Sequence, residues 1–226
     1  MRVGYLGPAG TFSQQALNES LQLAGIGEDA EIVPLTTAHD VVSAVQDGLV
    51  DRAIAPIENS VEGGVNEVID ALLHDAPDVA IIGEYVLAIN PCLIVREGTA
   101  LSEITTVYSH PQPLAQCASY LRRELPDASL QPSNSTAAAV AQVLASDQPV
   151  AALASPAAAE QNGAVVIAES VADHELLATR FIWLARERFE ATAQEQAGKS
   201  AIVFSGAGDG TPGWLLDCLS EFANRS

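Results

Sequence analysis

Short β-branched and apolar runs alternate along this chain with Ala-rich helical stretches, and one order recurs: strand, small polar loop, helix start. Arg2–Leu6 leads through Gly7–Thr11 into a helix from about Phe12 to Ala24. Ala53–Ile57 leads through Glu58–Gly64 into a helix from about Val65 to His74, and Thr105–Tyr108 leads through Ser109–Pro111 into a helix from about Pro113 to Arg123. Another strand ends near Gln131, passes Asn134–Thr136 and continues as a helix to about Ala145. Val150–Leu153 runs into Ser155-Pro156, a capping hydroxyl followed by proline where the first helical residue belongs. A further helix spans about Ala38–Gln46. Strands that alternate with helices of this length predict an α/β fold.

Two extended segments are long enough to pass between lobes, Glu84–Val95 and Leu176–Leu184. They predict two α/β lobes with a cleft between them, the first holding about 1–80 plus 175–184 and the second about 85–172. Ligands of open α/β sheets bind at the carboxyl ends of strands, so the polar loops should converge on that cleft. Residues 185–198 read as a polar linker. After it come a strand at Lys199–Ser205, a loop at Gly206–Gly213 and a helix from about Trp214 to Ala223, too little for a domain of its own.

Charge narrows the function. Ten Lys+Arg stand against 29 Asp+Glu, a net −19, and Lys199 is the single lysine. Nucleic-acid binding is disfavoured, because it draws on a basic surface. Any anionic ligand must be held by local donors against the overall field. No run of eighteen apolar residues predicts a membrane span, and the opening MRVGYLGPAG lacks the apolar core of a signal peptide. A cytoplasmic location is the expectation. Three single cysteines without CxxC spacing, and four scattered histidines, predict neither a disulfide framework nor a metal site.

Gly4-x-x-Gly7-x-x-Gly10 lacks the dinucleotide spacing, so no nucleotide cofactor is expected there. The loop does place Thr11 and Ser13 at a helix start, suited either to capping or to an anion. Glu58-Asn59-Ser60 follows an apolar strand. Asn59 and Ser60 can donate to a carboxylate or cap a helix, and Glu58 is either a cleft acid or a solvated charge. His110, in a strand-end loop, can act as acid or donor, or sit outside the site. Ser135 and Thr136 open another helix. In Thr179-Arg180-Phe181 strand alternation puts Thr179 and Phe181 on one face and Arg180 on the other. If Thr179 faces the cleft, Arg180 either contacts substrate across a twist or pairs with an acidic neighbour.

Together these segments resemble the prephenate dehydratase family. The matching residues are Gly7-Pro8-Ala9-Gly10-Thr11-Phe12-Ser13, Pro56-Ile57-Glu58-Asn59-Ser60 with Gly63-Gly64, Ser109-His110-Pro111-Gln112-Pro113 with Gln116-Cys117, Asn134-Ser135-Thr136-Ala137-Ala138, and Thr179-Arg180-Phe181, in the family's order. The resemblance implies two lobes of the periplasmic-binding-protein type II kind. It also implies conversion of prephenate to phenylpyruvate, carbon dioxide and water, driven by aromatisation and requiring no cofactor. Thr179 would assist the leaving hydroxyl, with Glu58 or His110 as proton source. Thr11, Ser13, Asn59, Ser60, Gly64, Ser135, Thr136 and Arg180 would hold the substrate. Residues 1–184 would form the catalytic domain. Residues 199–226 are similar to the start of an ACT (ferredoxin-like) regulatory unit, with Thr211-Pro212-Gly213-Trp214-Leu215 at its L-phenylalanine-binding turn. The rest of that unit, including its ESRP segment, does not follow, so the expectation is a partial unit whose L-phenylalanine response stays open. A homodimer is expected. Arogenate as substrate, or a non-catalytic carboxylate-binding protein on the same scaffold, are the alternatives.

Overall fold

The computed structural model describes residues 1–25, 30–174, 177–186, 202–203, 206 and 210–224. Its strands are β1 (Arg2–Leu6), β2 (Glu31–Leu35), β3 (Arg52–Asn59), β4 (Gly63–Gly64), β5 (Ala80–Ala88), β6 (Cys92–Val95), β7 (Thr106–Ser109), β8 (Ser129–Pro132), β9 (Val150–Ala154), β10 (Val165–Ala168) and β11 (Ala178–Ala185). Its helices are α1 (Phe12–Leu23), α2 (Ala38–Gln46), α3 (Asn66–His74), α4 (Pro111–Gln116), α5 (Ala118–Glu124), α6 (Thr136–Ala145), α7 (Pro156–Asn162) and α8 (Trp214–Ala223).

The expected two α/β lobes are present. The first sheet has the order β2-β1-β3-β11-β5, with β4 folded back on β3; the second runs β10-β6-β9-β7-β8. In the first sheet β1 pairs in parallel with β2 and β3, whereas β11 is antiparallel to both its neighbours. Each sheet is covered on both faces, which is why the middle stretches of its central strands are apolar, with polar residues at the ends of β1, β3 and β11. Val3, Tyr5 and Ile54 pack with Leu17 and Leu21 of α1, while Ala53 and Ala55 pack with Val41, Val42 and Val45 of α2. All five residues of β9 are buried, four of them Ala or Val, and their small volume lets helices approach from either side. Each fully buried Leu or Ile in these clusters contributes roughly 1.5–3 kcal/mol.

Several boundaries follow local chemistry. The helix expected at Ala38–Gln46 has those limits, set by a capping box: the Thr37 hydroxyl accepts from the Asp40 amide, and the Asp40 carboxylate accepts from the Thr37 amide. Ser155 caps α7 through the Ala158 amide, with Pro156 in its first turn. Strand β2 was not anticipated. Its Pro34 argues against a strand, yet β2 lies at the sheet edge, where a missing donor does no harm.

The segment Glu84–Val95 divides between sheets: β5 belongs to the first and β6 to the second, with the crossing at 89–91. The first sheet therefore extends to residue 88, past the approximate limit of 80. The return passes from β10 to β11, and β11 lies wholly in the first sheet; residues 175–176 of that return are outside the described residues. The two crossings run side by side. The Ile89 amide donates to the Leu177 carbonyl (2.8 Å) and the Val171 amide to the Pro91 carbonyl (3.0 Å).

A second correction concerns the helix expected at Pro113–Arg123. It is two helices, α4 and α5, broken at Cys117, whose φ of −111° and ψ of 15° leave the helical region. The cause is distant in sequence. The Asp173 carboxylate accepts from the Ser119 amide (2.9 and 3.1 Å) and the Tyr120 amide (3.2 Å), capping α5 from the return crossing.

The chain divides into two compact units, Met1–Phe189 and Glu190–Ser226. In the second, α8 has the expected limits and begins after Gly213, which adopts a φ of 92°. The expected linker 185–198 and strand Lys199–Ser205 fall almost wholly outside the described residues. Among the described residues no helix is long and apolar enough to cross a membrane.

Candidate functional site

Strand ends and helix starts of both lobes meet around a cleft of about 360 Å³, a volume suited to a small ligand. From the first lobe come Leu6 and Gly7 at the end of β1, Thr11, Phe12 and Ser13 at the start of α1, Pro56 and Asn59 of β3, and Thr179 and Phe181 of β11. From the second come His110, Gln112, Pro113 and Gln116 around α4, and Asn134, Ser135 and Thr136 at the start of α6. Thr36, Glu62, Val65 and Ile89 complete the lining.

Of the residues singled out from sequence, Thr179, His110, Thr11, Ser13, Asn59, Ser135 and Thr136 therefore share one hollow. Glu58, Ser60, Gly64 and Arg180 do not line it. Alternation explains the difference. Thr179 pairs in register with Asn59, and Arg180 with Glu58; the register then skips Ile57, so Phe181 faces Pro56. This bulge lies beside the cleft, a common position for one. Arg180 makes ion pairs with Glu58 (Nη2 to Oε2, 3.0 Å) and Glu84 (Nη1 to Oε2, 3.6 Å). Pairing with acidic neighbours is thus the outcome of the two that the strand pattern left open. Ser60 is engaged by β11: its hydroxyl accepts from the Ala178 amide and its own amide donates to the Ala178 carbonyl. Gly64 sits in β4, paired with Glu58. Neither Asn59 nor Ser60 caps α3, which starts at Asn66 without a side-chain cap.

The central polar contact joins Asn59 to Thr179. The Asn59 Oδ1 accepts from the Val61 amide (2.9 Å) and, more weakly, from the Glu62 amide (3.4 Å). That fixes which end of the side-chain amide is oxygen, and Nδ2 then donates to the Thr179 Oγ1 at 3.1 Å. A hydroxyl that accepts from an amide keeps its own proton for another acceptor. Thr179 is 9% exposed and lines the cleft, so its hydroxyl can donate to a small molecule held there.

The helix starts contribute differently. The Ser135 hydroxyl accepts from the Ala138 amide (3.0 Å), and the Thr11 hydroxyl accepts from the Gln14 amide (3.4 Å) while donating to the Pro8 carbonyl (3.0 Å). Both hydroxyls are capping groups, and what they hold at the cleft is the positive end of a helix. The His110 Nδ1 accepts from the Gln112 amide (3.4 Å), which leaves Nε2 as the protonated nitrogen of the neutral ring. Beneath α4, burial pushes the Cys117 thiol up to about 12, with Asp173 and Cys92 adding to it, so Cys117 is a packing residue. Desolvation raises the Asp173 carboxyl, but hydrogen bonds from the Ser119 and Tyr120 amides and the Ser119 hydroxyl, with Arg122 nearby, outweigh it and hold it below the usual carboxylate range.

Gln116, Gln112, Asn134, Thr36 and Glu62 line the cleft and had not been singled out as site residues. Gln112 and Gln116 stand four apart on α4, a spacing that puts them on one helix face. Glu62 and His110 are the ionisable side chains among the described lining residues, and no Lys or Arg is among them. Leu6, Phe12, Val65, Ile89 and Phe181 supply apolar wall. The arrangement can hold a small, partly apolar acid by amides, hydroxyls and helix ends. No group of His, Cys, Asp and Glu among the described residues has the geometry for a metal ion.

Comparison with known proteins gives a consistent result. The family model for prephenate dehydratase matches residues 3–189. The bifunctional chorismate mutase/prephenate dehydratase of Enterobacter agglomerans is 36% identical over 220 residues, covering 96% of this chain and 54% of the relative. The chain thus spans about half the length of that relative. The prephenate dehydratase of Lactococcus lactis subsp. lactis is 34% identical over 228 residues, covering 100% of this chain and 77% of the relative. Among solved structures, the prephenate dehydratase of Arthrobacter aurescens in complex with L-Phe superposes with a TM-score of 0.79 at 34% identity, covering 100% of this chain and 72% of that one.

Proposed function

The chain belongs to the prephenate dehydratase family, and we propose that it converts prephenate to phenylpyruvate in the cleft between the two lobes. The observation that carries this reading is the hydroxyl of Thr179, which lines the cleft and accepts from Asn59, so that its own proton stays available to donate. Prephenate must lose carbon dioxide and its ring hydroxyl together. The electron pair of the breaking carbon–carboxylate bond enters the ring, and the hydroxyl leaves as water once one proton is supplied. Thr179 donates a hydrogen bond to the departing oxygen. A threonine hydroxyl is too weak an acid to give up its proton outright, so the net proton comes from elsewhere.

Of the two earlier candidates for that proton, Glu58 is paired with Arg180 away from the cleft. His110 lines it and is the proton source in this reading as the imidazolium, which passes its Nε2 proton to the departing oxygen and returns to a neutral ring. The starts of α1 and α6 hold the two carboxylates. Thr11, Ser13, Ser135 and Thr136 shape those ends, and Gln112, Gln116 and Asn134 supply further donors. Glu58, Ser60, Gly64 and Arg180 act as framework behind Asn59 and Thr179. The apolar wall takes the ring. Residues 1–184 form the catalytic part and 199–226 contribute to an ACT-like part, with Thr211–Leu215 as the segment for an L-phenylalanine effector. A cytoplasmic homodimer completes the reading.

The test is direct. Incubation with prephenate should produce phenylpyruvate, followed by its absorbance, and arogenate is run beside it. Turnover of arogenate alone replaces the substrate in the reading, and binding without turnover of either leaves a carboxylate-binding protein. A second expectation follows from charge. A chain of net −19 repels a dianion at long range, so raising salt from about 20 to 150 mM should increase the apparent association rate in stopped-flow measurement. A steep fall would mean that a basic funnel guides the substrate.

A further inference from the structure

We propose that Asp173 is a positioning residue of this site: by holding apart α4 and α5 it aims the Gln116 side chain into the cleft. The inference rests on the reading of the cleft as the substrate site. Between Pro113 and Glu124 the sequence contains neither Gly nor Pro, and nothing local ends a helix at Cys117. The break is imposed from outside. One residue of the return crossing secures both sides of it. The Asp173 amide donates to the Gln116 carbonyl at 2.7 Å, on the α4 side. The Asp173 carboxylate takes the Ser119 and Tyr120 amides, on the α5 side.

Gln116 is what this arrangement delivers. It is 8% exposed and lines the cleft, and its amide end is not among the fully buried unpartnered polar atoms of the described residues, so it opens into the cleft. An amide end that opens into a cleft can donate to and accept from a ligand there. Without the Asp173 carboxylate, the Ser119 and Tyr120 amides find their nearest acceptors four residues back, at the Ala115 and Gln116 carbonyls. Those bonds would fuse α4 and α5 into one helix and rotate Gln116 on its axis. The sequence span that looks like a single helix would then become one, at the expense of the site.

The role is read by a double-mutant cycle on the full chain. Gln116→Ala and Asp173→Ala should each lower kcat/KM by about tenfold to a hundredfold, and the double variant should be no more than about twofold worse than the poorer single one. Asp173→Asn keeps one acceptor oxygen and should retain kcat/KM within about threefold. Additive losses would overturn the proposal. A second readout does not depend on turnover. The side-chain ¹⁵N amide signal of Gln116, assigned by its disappearance in Gln116→Ala, should shift and lose order in Asp173→Ala; an unchanged signal overturns the proposal whatever the activity. If Asp173→Ala does not fold, Asp173→Ser, too short to span both amides, carries the same two measurements. A wild-type chain that fails to turn over prephenate sinks the functional reading alone, and the amide signal still decides the positioning.

Discussion

Replacing Thr179 by Ala should lower kcat for prephenate by about 10²–10³-fold while changing KM by less than about threefold. The size is that of removing one preorganised donor from a site where charge develops on a departing oxygen. The asymmetry follows from when the bond matters. In the bound substrate the leaving oxygen is a neutral hydroxyl and gains little from Thr179. As the carbon–oxygen bond breaks, the oxygen gains negative charge and the hydrogen bond strengthens, so its loss falls on kcat. Thr179→Ser restores the hydroxyl on a freer side chain and should recover most of the activity. Thr179→Val keeps the shape but leaves the Asn59 Nδ2 without its acceptor, so it should be no better than Ala. Steady-state kinetics with the three variants check the assignment. A wild-type kcat in Thr179→Ala would remove Thr179 from the chemistry, and the functional reading would lose its main support.

That Thr179 and Phe181 share a face was legible in the sequence because a strand has one short period and needs no knowledge of its neighbours. For the same reason the limits of α2, the cap at Ser155 and the start of α6 could be read: each depends on groups within four residues. What escaped is long-range. The break at Cys117 depends on Asp173, 54 residues from Ser119. For Glu58 the sequence allows either a cleft acid or a solvated charge, and its partner Arg180, in register across the strands, lies 122 residues away. Strand β2 was hidden by Pro34, harmless only because β2 has a neighbour on one side. In the cleft, residues at loop and helix starts were found by their chemistry. Gln116 lies at the last position of α4 and reaches the cleft only because that helix ends there.

Gly10 carries the second large effect. Its φ of 82° suits glycine, and a Cβ built there would stand 3.4 Å from the Ala158 Cα and 3.5 Å from the Ala137 Cβ. Both neighbours belong to second-lobe helices, so this loop of the first lobe rests directly on α6 and α7. Its peptide is bound at each end: the Gly10 amide donates to the Gln14 Oε1 (2.7 Å), and the Gly10 carbonyl accepts from the buried Ser155 Oγ (3.1 Å). The Gln161 Nε2 donates to the same Gln14 oxygen (3.1 Å), which adds a second tie between the lobes. Gly10→Ala should therefore cost only the left-handed backbone, about 1–2 kcal/mol, because its methyl meets ordinary contact distances. Gly10→Val adds two methyl groups with nowhere to go except into Ala137 and Ala158, for a total of about 2–4 kcal/mol and a Tm lower by roughly 5–12 °C. The next residue, Thr11, caps α1 at the cleft, so forcing the loop off the second lobe also separates the helix starts that we propose hold the carboxylates. KM for prephenate should rise at least about tenfold in Gly10→Val and stay within about threefold in Gly10→Ala. Calorimetry and steady-state kinetics on the pair separate backbone strain from lobe contact. Equal KM values in the two variants would mean that the contact between Gly10 and the second lobe does not set the geometry in which substrate is held.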